Sequence, residues 1–131
     1  MVNVNILSNM SKTTKKDFEL FKNECEKWIV RFELSHWDVI YEHKAEEGNY
    51  ANLSRNVHAL NAIISLSEDF ELEGLDVGIS RTDLIKSLAK HEVIHLLCAK
   101  LGEYAKSREF TAIDCYRAEE ELVKKLENII K

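Results

Sequence analysis

Residues 84–101 read LIKSLAKHEVIHLLCAKL, and this stretch decides how the rest of the chain is interpreted. Apolar residues recur in it every three or four positions, which is typical of an amphipathic helix. Ser80 and Asp83 form the pattern of a capping box before it, and Gly102 would suit the end of the helix. The sequence therefore predicts a helix between Ser80 and Gly102.

This helix would carry two histidines four residues apart, His91 and His95, with Glu92 between them. Residues at this spacing lie on one helix face, so both imidazoles can bind one metal ion. Glu92 would lie beside the metal and take a proton from water, which is the H-E-x-x-H arrangement of zinc peptidases. The alternative is a pair of core histidines, because both project on or beside the apolar face.

A catalytic zinc usually has three protein ligands and one open position. At 100° per residue, the apolar residues of the C-terminal segment centre on the direction of Glu119. A carboxylate in the middle of an apolar face is costly unless it is paired or bound to metal. Glu119 is therefore the predicted third ligand, with Glu120 as the reserve. Three acidic residues are weaker options: Glu103, Glu109 and Asp114.

The remaining secondary structure follows from local patterns of apolar, turn and capping residues. The sequence predicts a helix over residues 13–34, strands at Trp37–Glu42, Tyr50–Val57 and His58–Leu66, a turn at Glu46–Asn49, a loop at Glu68–Gly78 and a last helix that begins at Thr111. Val2–Leu7 is a candidate for a further short strand. We expect one α+β domain over residues 1–131, with a small, mostly antiparallel three-stranded sheet between the helices.

The composition excludes several classes of function. The chain is 45% hydrophobic and 31% charged, with a net charge of -5 and no basic block, which argues against binding to nucleic acid or an anionic membrane. No apolar run approaches the roughly 20 residues of a membrane span, and the first residues are too polar for a signal peptide. We therefore expect a cytoplasmic protein, in which Cys25, Cys98 and Cys115 are buried thiols.

Four segments together resemble a known family. HEVIH at 91–95, WDVIYE at 37–42, ALNAIISLS at 59–67 and AEEELVKKLENII at 118–130 resemble the small HExxH metallopeptidases encoded by bacteriophages and prophages, which are minimal gluzincin-like zincins. The resemblance implies a zincin-like fold, Zn²⁺ bound by His91 and His95, Glu92 as catalytic base and a glutamate of AEEEL as third ligand. It also implies the host cytoplasm as location. The spacing from His95 to Glu119 is longer than usual in larger gluzincins, so the register of the third ligand stays open.

The predicted function is zinc-dependent hydrolysis of peptide bonds in a peptide or protein substrate. The substrate would lie as an extra strand along a sheet edge, either Trp37–Tyr41 or Ala59–Leu66. Tyr104, Tyr116 and His58 are candidates to stabilise the oxyanion, by residue type alone. The alternatives are a non-catalytic protein in which zinc ties two helices together and a metal-free interaction module. The sequence leaves the oligomeric state open.

Overall fold

The computed structural model describes residues 12–46, 48–70, 79–106 and 111–129. These residues form an α+β arrangement of three helices and one three-stranded sheet. In chain order the elements are α1 (Lys15–Arg31), β1 (Asp38–Lys44), β2 (Ala51–Asn56), β3 (Asn61–Ser67), α2 (Arg81–Lys106) and α3 (Ala112–Ile129). No helix in the described ranges combines the length and the apolar character that a membrane span requires. The predicted strand at Val2–Leu7 and most of the predicted loop at Glu68–Gly78 lie outside the described residues.

Helix α1 begins at the predicted capping box. The Thr14 hydroxyl accepts a hydrogen bond from the Asp17 backbone N–H at 3.1 Å, and the Asp17 carboxylate accepts one from the Thr14 N–H at 2.9 Å. Two of the backbone donors that a helix start leaves without partners are satisfied in this way. The helix is shorter than predicted because the chain turns at Glu33, whose φ of 59° lies in the left-handed region.

The sheet has the strand order β1-β3-β2 and is mixed, whereas the sequence predicted a mostly antiparallel sheet. Strand β2 pairs antiparallel with β3 through a hairpin, but β1 pairs parallel with β3. The connection from β1 to β2 passes over the end of β3. Strand β3 then runs between the two earlier strands in the direction of β1, so β1 and β3 are parallel. Strand β3 is therefore central, and the prediction that Ala59–Leu66 could be a free edge is wrong.

One face of the sheet packs against the helices. Ala62, Ile64 and Leu66 alternate along β3 and are at most 3% exposed, as their spacing predicted. They share one core with buried residues of α1 and α2, which include Phe21, Cys25, Ile29, Ile85, Ala89, Val93 and Leu96. This packing fixes α2 across the sheet and beside its edge strand β2.

Helix α2 continues past Gly102 for four further residues, so the prediction that Gly102 ends it is wrong. Helix α3 then begins at the predicted Thr111 cap, where the Thr111 hydroxyl accepts a hydrogen bond from the Asp114 N–H at 3.3 Å. Helix α3 packs on α2 through Ala118, which is 6% exposed, and through Leu122 and Leu126 beside it.

Candidate metal centre

Helix α2 turns its core residues and its histidines in different directions. Val93 and Leu96 are buried, whereas His91 and His95 are both exposed. The two histidines therefore lie beside the packed face of the helix and are not core histidines, so that alternative is wrong. Their exposed position leaves both rings accessible to a metal ion from solvent.

The two imidazoles converge on one point. His91 Nε2 and His95 Nε2 lie 3.1 Å apart, and the ring planes are inclined at 83°. Two nitrogens bound tetrahedrally to zinc at the usual bond length of about 2.0–2.1 Å would lie about 3.3 Å apart. The same separation also permits a hydrogen bond between two neutral rings, with the tautomers deciding which ring donates. The pair therefore has the spacing of two ligands of one metal ion.

Glu92 lies between the exposed histidines but is itself 6% exposed. Burial raises the pKa of the Glu92 carboxyl above its ordinary value, and the adjacent His91 and His95 rings lower it to a smaller extent. A carboxylate with a raised pKa is a better proton acceptor than a solvated one. The sequence predicted Glu92 beside the metal. The structure shows in addition that its side chain is buried.

A cleft of about 300 Å³ lies between β2 and α2 in front of these residues. Its lining consists of Asn49, Ala51, Asn52, Leu53, Arg55, His91, Glu92 and His95. Strand β2 has a partner only on its β3 side within the described sheet, so its other side is an open edge along this cleft. The predicted edge at Trp37–Tyr41 falls mainly in β1, which is the other edge strand of the described sheet but does not line this cleft. The sequence missed β2 as an edge because its strand pattern was weak.

A larger cavity, of about 380 Å³, lies between the C-terminal half of α2, helix α3 and the residues that precede β1 and follow β2. Two residues predicted as oxyanion candidates, His58 and Tyr104, line this cavity instead of the histidine cleft. The third, Tyr116, is 62% exposed on α3 and does not line the cleft either. The structure therefore brings none of the three into the cleft.

The predicted third ligands lie on α3 or near it. Glu119 is exposed and Glu120 is half-buried, while Glu121 pairs with Lys100 at 3.2 Å. The helix projection was misled by Tyr116 and Val123, which are apolar in sequence but 62% and 40% exposed. The small residue Ala118 marks the true packing direction of α3.

Of the weaker options, Glu103 is half-buried on α2, Glu109 lies outside the described residues and Asp114 caps α3. Within the described ranges, no group of three or more His, Cys, Asp or Glu side chains that could hold a metal ion is formed. The structure thus brings together His91, Glu92 and His95, and the third ligand stays a prediction.

The three cysteines are free thiols. Cys25 is fully buried in the core, and burial raises the pKa of its thiol far above the ordinary value. Cys98 and Cys115 are only half-buried, which corrects the prediction that all three are buried.

Comparisons of the chain with protein-family models, with curated proteins and with solved structures gave no match. The candidate site therefore rests on the chemistry and geometry of its own residues.

Proposed function

We propose that this protein is a zinc-dependent metallopeptidase with a zincin-like fold. The observation that carries the proposal is the convergence of His91 Nε2 and His95 Nε2, 3.1 Å apart, beside the buried carboxyl of Glu92. All three side chains line one cleft, along an open strand edge. A pair of nitrogen ligands, a base and a place for an extended peptide are the parts that metal-assisted peptide hydrolysis needs.

His91 and His95 would hold the zinc ion, to which neutral imidazole nitrogen is a common ligand. Bound zinc would polarise the scissile carbonyl and lower the pKa of a coordinated water toward about 7. Glu92 accepts a proton from the attacking water and returns it to the leaving amine as the peptide bond breaks.

We infer that Glu119 supplies the third ligand, with Glu120 as the alternative. On α2, Lys100 projects about 140–180° away from the two histidines, and Glu121 pairs with Lys100 on that flank. Glu119 precedes Glu121 by two residues and projects about 160° from it, toward the flank of α2 that carries the histidines. This projection favours Glu119 over Glu121.

The substrate would bind as a further strand on the free edge of β2. Main-chain hydrogen bonds to an edge strand give affinity for extended peptides without selecting a sequence. Side chains of Ala51, Leu53 and Arg55 share the face of β2 that turns toward α2, because they oppose the buried residues of β3. The peptide would thus lie between β2 and the metal ligands.

The alternative is a zinc ion that only ties α2 to another element. Such a site needs ligands and no base, and it is usually closed by four protein ligands. The histidines face a cleft beside β2, and its described lining adds no His, Cys or carboxylate to His91, Glu92 and His95. The buried Glu92 is therefore the feature that favours catalysis over a purely structural ion.

The proposal is tested by zinc content and peptide hydrolysis in matched variants. We expect about one zinc per chain in the wild type and in Glu92→Gln, and little in His95→Ala, because Glu92 is a base and His95 a ligand. Hydrolysis of a casein-derived peptide mixture, followed by mass spectrometry, should be lost in both variants. His36→Ala, exposed and outside the cleft, is the control. Loss of zinc in Glu92→Gln would make Glu92 a ligand, and zinc-free wild type would refute the proposal.

A further inference from the structure

Gly102 leaves a position on helix α2 without a side chain, and the side chain of Arg55 lies close to this position. A Cβ atom at this position would lie 3.2 Å from Arg55 Nη2, which is closer than ordinary van der Waals contact. Glycine inside a helix is less favourable than alanine, so its presence four residues before the helix end calls for a local reason. The Arg55 guanidinium lies close to the place that a side chain at position 102 would occupy.

Arg55 brings a positive charge into the histidine cleft. Its side chain lines the cleft together with His91, Glu92 and His95. Gly102 follows His95 by seven residues, or about two helical turns, so it lies on the same face of α2. The guanidinium is therefore on the metal-binding side of the helix, about 10 Å along its axis from His95.

Arg55 forms no ion pair within the part of the chain that the structure describes. None of the six ion pairs there includes Arg55, and Glu92 is the one carboxylate in the cleft lining. A guanidinium presents a planar fork of N–H donors that matches the two oxygens of a carboxylate. Arg55 is exposed, and the missing side chain of Gly102 leaves room for its guanidinium beside α2.

We propose that Arg55 binds a carboxylate of the substrate and makes the protein selective for acidic peptides. The inference rests on the proposed peptidase function and names the substrate class of that site. An extended peptide advances about 3.3 Å per residue, so 10 Å corresponds to about three residues from the bond that is cleaved. The carboxylate is an Asp or Glu side chain at that distance or the C-terminus of a short peptide.

The test is peptide binding to the zinc-loaded Glu92→Gln protein, which lacks the base and leaves peptides intact. The probes are fluorescein-labelled octapeptides of alanine and valine with Glu or Gln at one position in turn. Each is made with a free and with an amidated C-terminus, which separates the two sources of the carboxylate. Binding is followed by fluorescence anisotropy at low salt.

We expect one Glu position, or the free C-terminus, to improve affinity about tenfold over its uncharged counterpart, about 1.4 kcal/mol. Arg55→Gln should abolish this preference, and Arg55→Lys should keep only part of it because the fork is lost. Gly102→Ala should reduce it by displacing the guanidinium. Arg117→Gln and Ser87→Ala, exposed positions outside the cleft on α3 and α2, should leave it unchanged.

Two results separate failure of this inference from failure of the proposed function. Equal binding of the Glu and Gln peptides, or a preference that survives in Arg55→Gln, overturns the role of Arg55 and leaves the peptidase proposal intact. Absence of binding by every peptide overturns the peptide cleft itself, and the role of Arg55 with it.

Discussion

The three residues His91, Glu92 and His95 differ in their exposure to solvent, and this difference matches their proposed roles. His91 and His95 are exposed and can reach a metal ion from solvent, whereas Glu92 between them is buried. Successive side chains of a helix point about 100° apart. Residues four apart, such as His91 and His95, therefore share one face, whereas the side chain of Glu92 points away from that face. The HExxH spacing thus encodes both the ligand pair and the different environment of the base.

The neighbouring glutamates of α3 allow the third ligand to be tested one residue at a time. We expect Glu119→Ala to weaken zinc binding by more than about 100-fold, because loss of a ligand should exceed the cost of losing an outer partner. Glu121→Ala should have little effect, since Glu121 pairs with Lys100. Competition with a chromophoric chelator measures both affinities. A larger loss in Glu120→Ala would move the ligand by one residue. A larger loss in Glu121→Ala would refute the orientation of α3 that is inferred from the pair between Glu121 and Lys100.

At the scale of elements, capping boxes define where helices begin. Thr14 with Asp17 and Thr111 with Asp114 form the same reciprocal hydrogen bonds at the starts of α1 and α3. These starts were predicted because the bonds are local in sequence. The end of α2 was not, since Gly102 lies inside the helix, where a side chain would come within 3.2 Å of Arg55 Nη2 from another element.

The cap of α3 makes stability depend on pH. Hydrogen bonds from Thr111 hold the pKa of the Asp114 carboxyl below its ordinary value. The folded pKa is below the unfolded one, so the contribution is complete above the unfolded value of about 3.9 and is lost as pH falls through the folded value. Asp114→Asn should therefore lower the Tm at pH near 7, and the difference from wild type should vanish in strong acid.

Thermal unfolding followed by circular dichroism, at several pH values, measures this effect. Glu127→Gln, exposed in the last turn of the same helix, is the matched control and should not lower the Tm near pH 7, because the helix dipole does not stabilise a carboxylate at the C-terminus. A Tm difference between wild type and Asp114→Asn that is constant with pH would show that the charge of Asp114 does not stabilise the cap.

At the scale of the whole molecule, the sequence predicted elements better than their assembly. The alternation of Ala62, Ile64 and Leu66 identified the face of β3 that packs on the helices, since successive side chains of a strand point to opposite faces. The parallel pairing of β1 with β3 depends on a connection that crosses the sheet, and no local pattern records it. The cleft was missed for the same reason, because it joins β2 to a helix that begins 25 residues after the strand ends.

Removal of the metal tests whether the fold depends on zinc. The core joins α1, the sheet and α2 through buried apolar side chains and does not include the two histidines, so the chain should fold without zinc. Zinc that binds only the folded state should add about 2.7 kcal/mol at a free concentration of 100 times Kd. We therefore expect chelator-treated protein to keep its far-ultraviolet circular dichroism and to gain Tm when zinc is restored. His95→Ala should fold with the Tm of the chelated wild type and gain nothing from zinc. Unfolding of the metal-free wild type would instead mean that zinc has a structural role, and the peptidase mechanism would lose its basis.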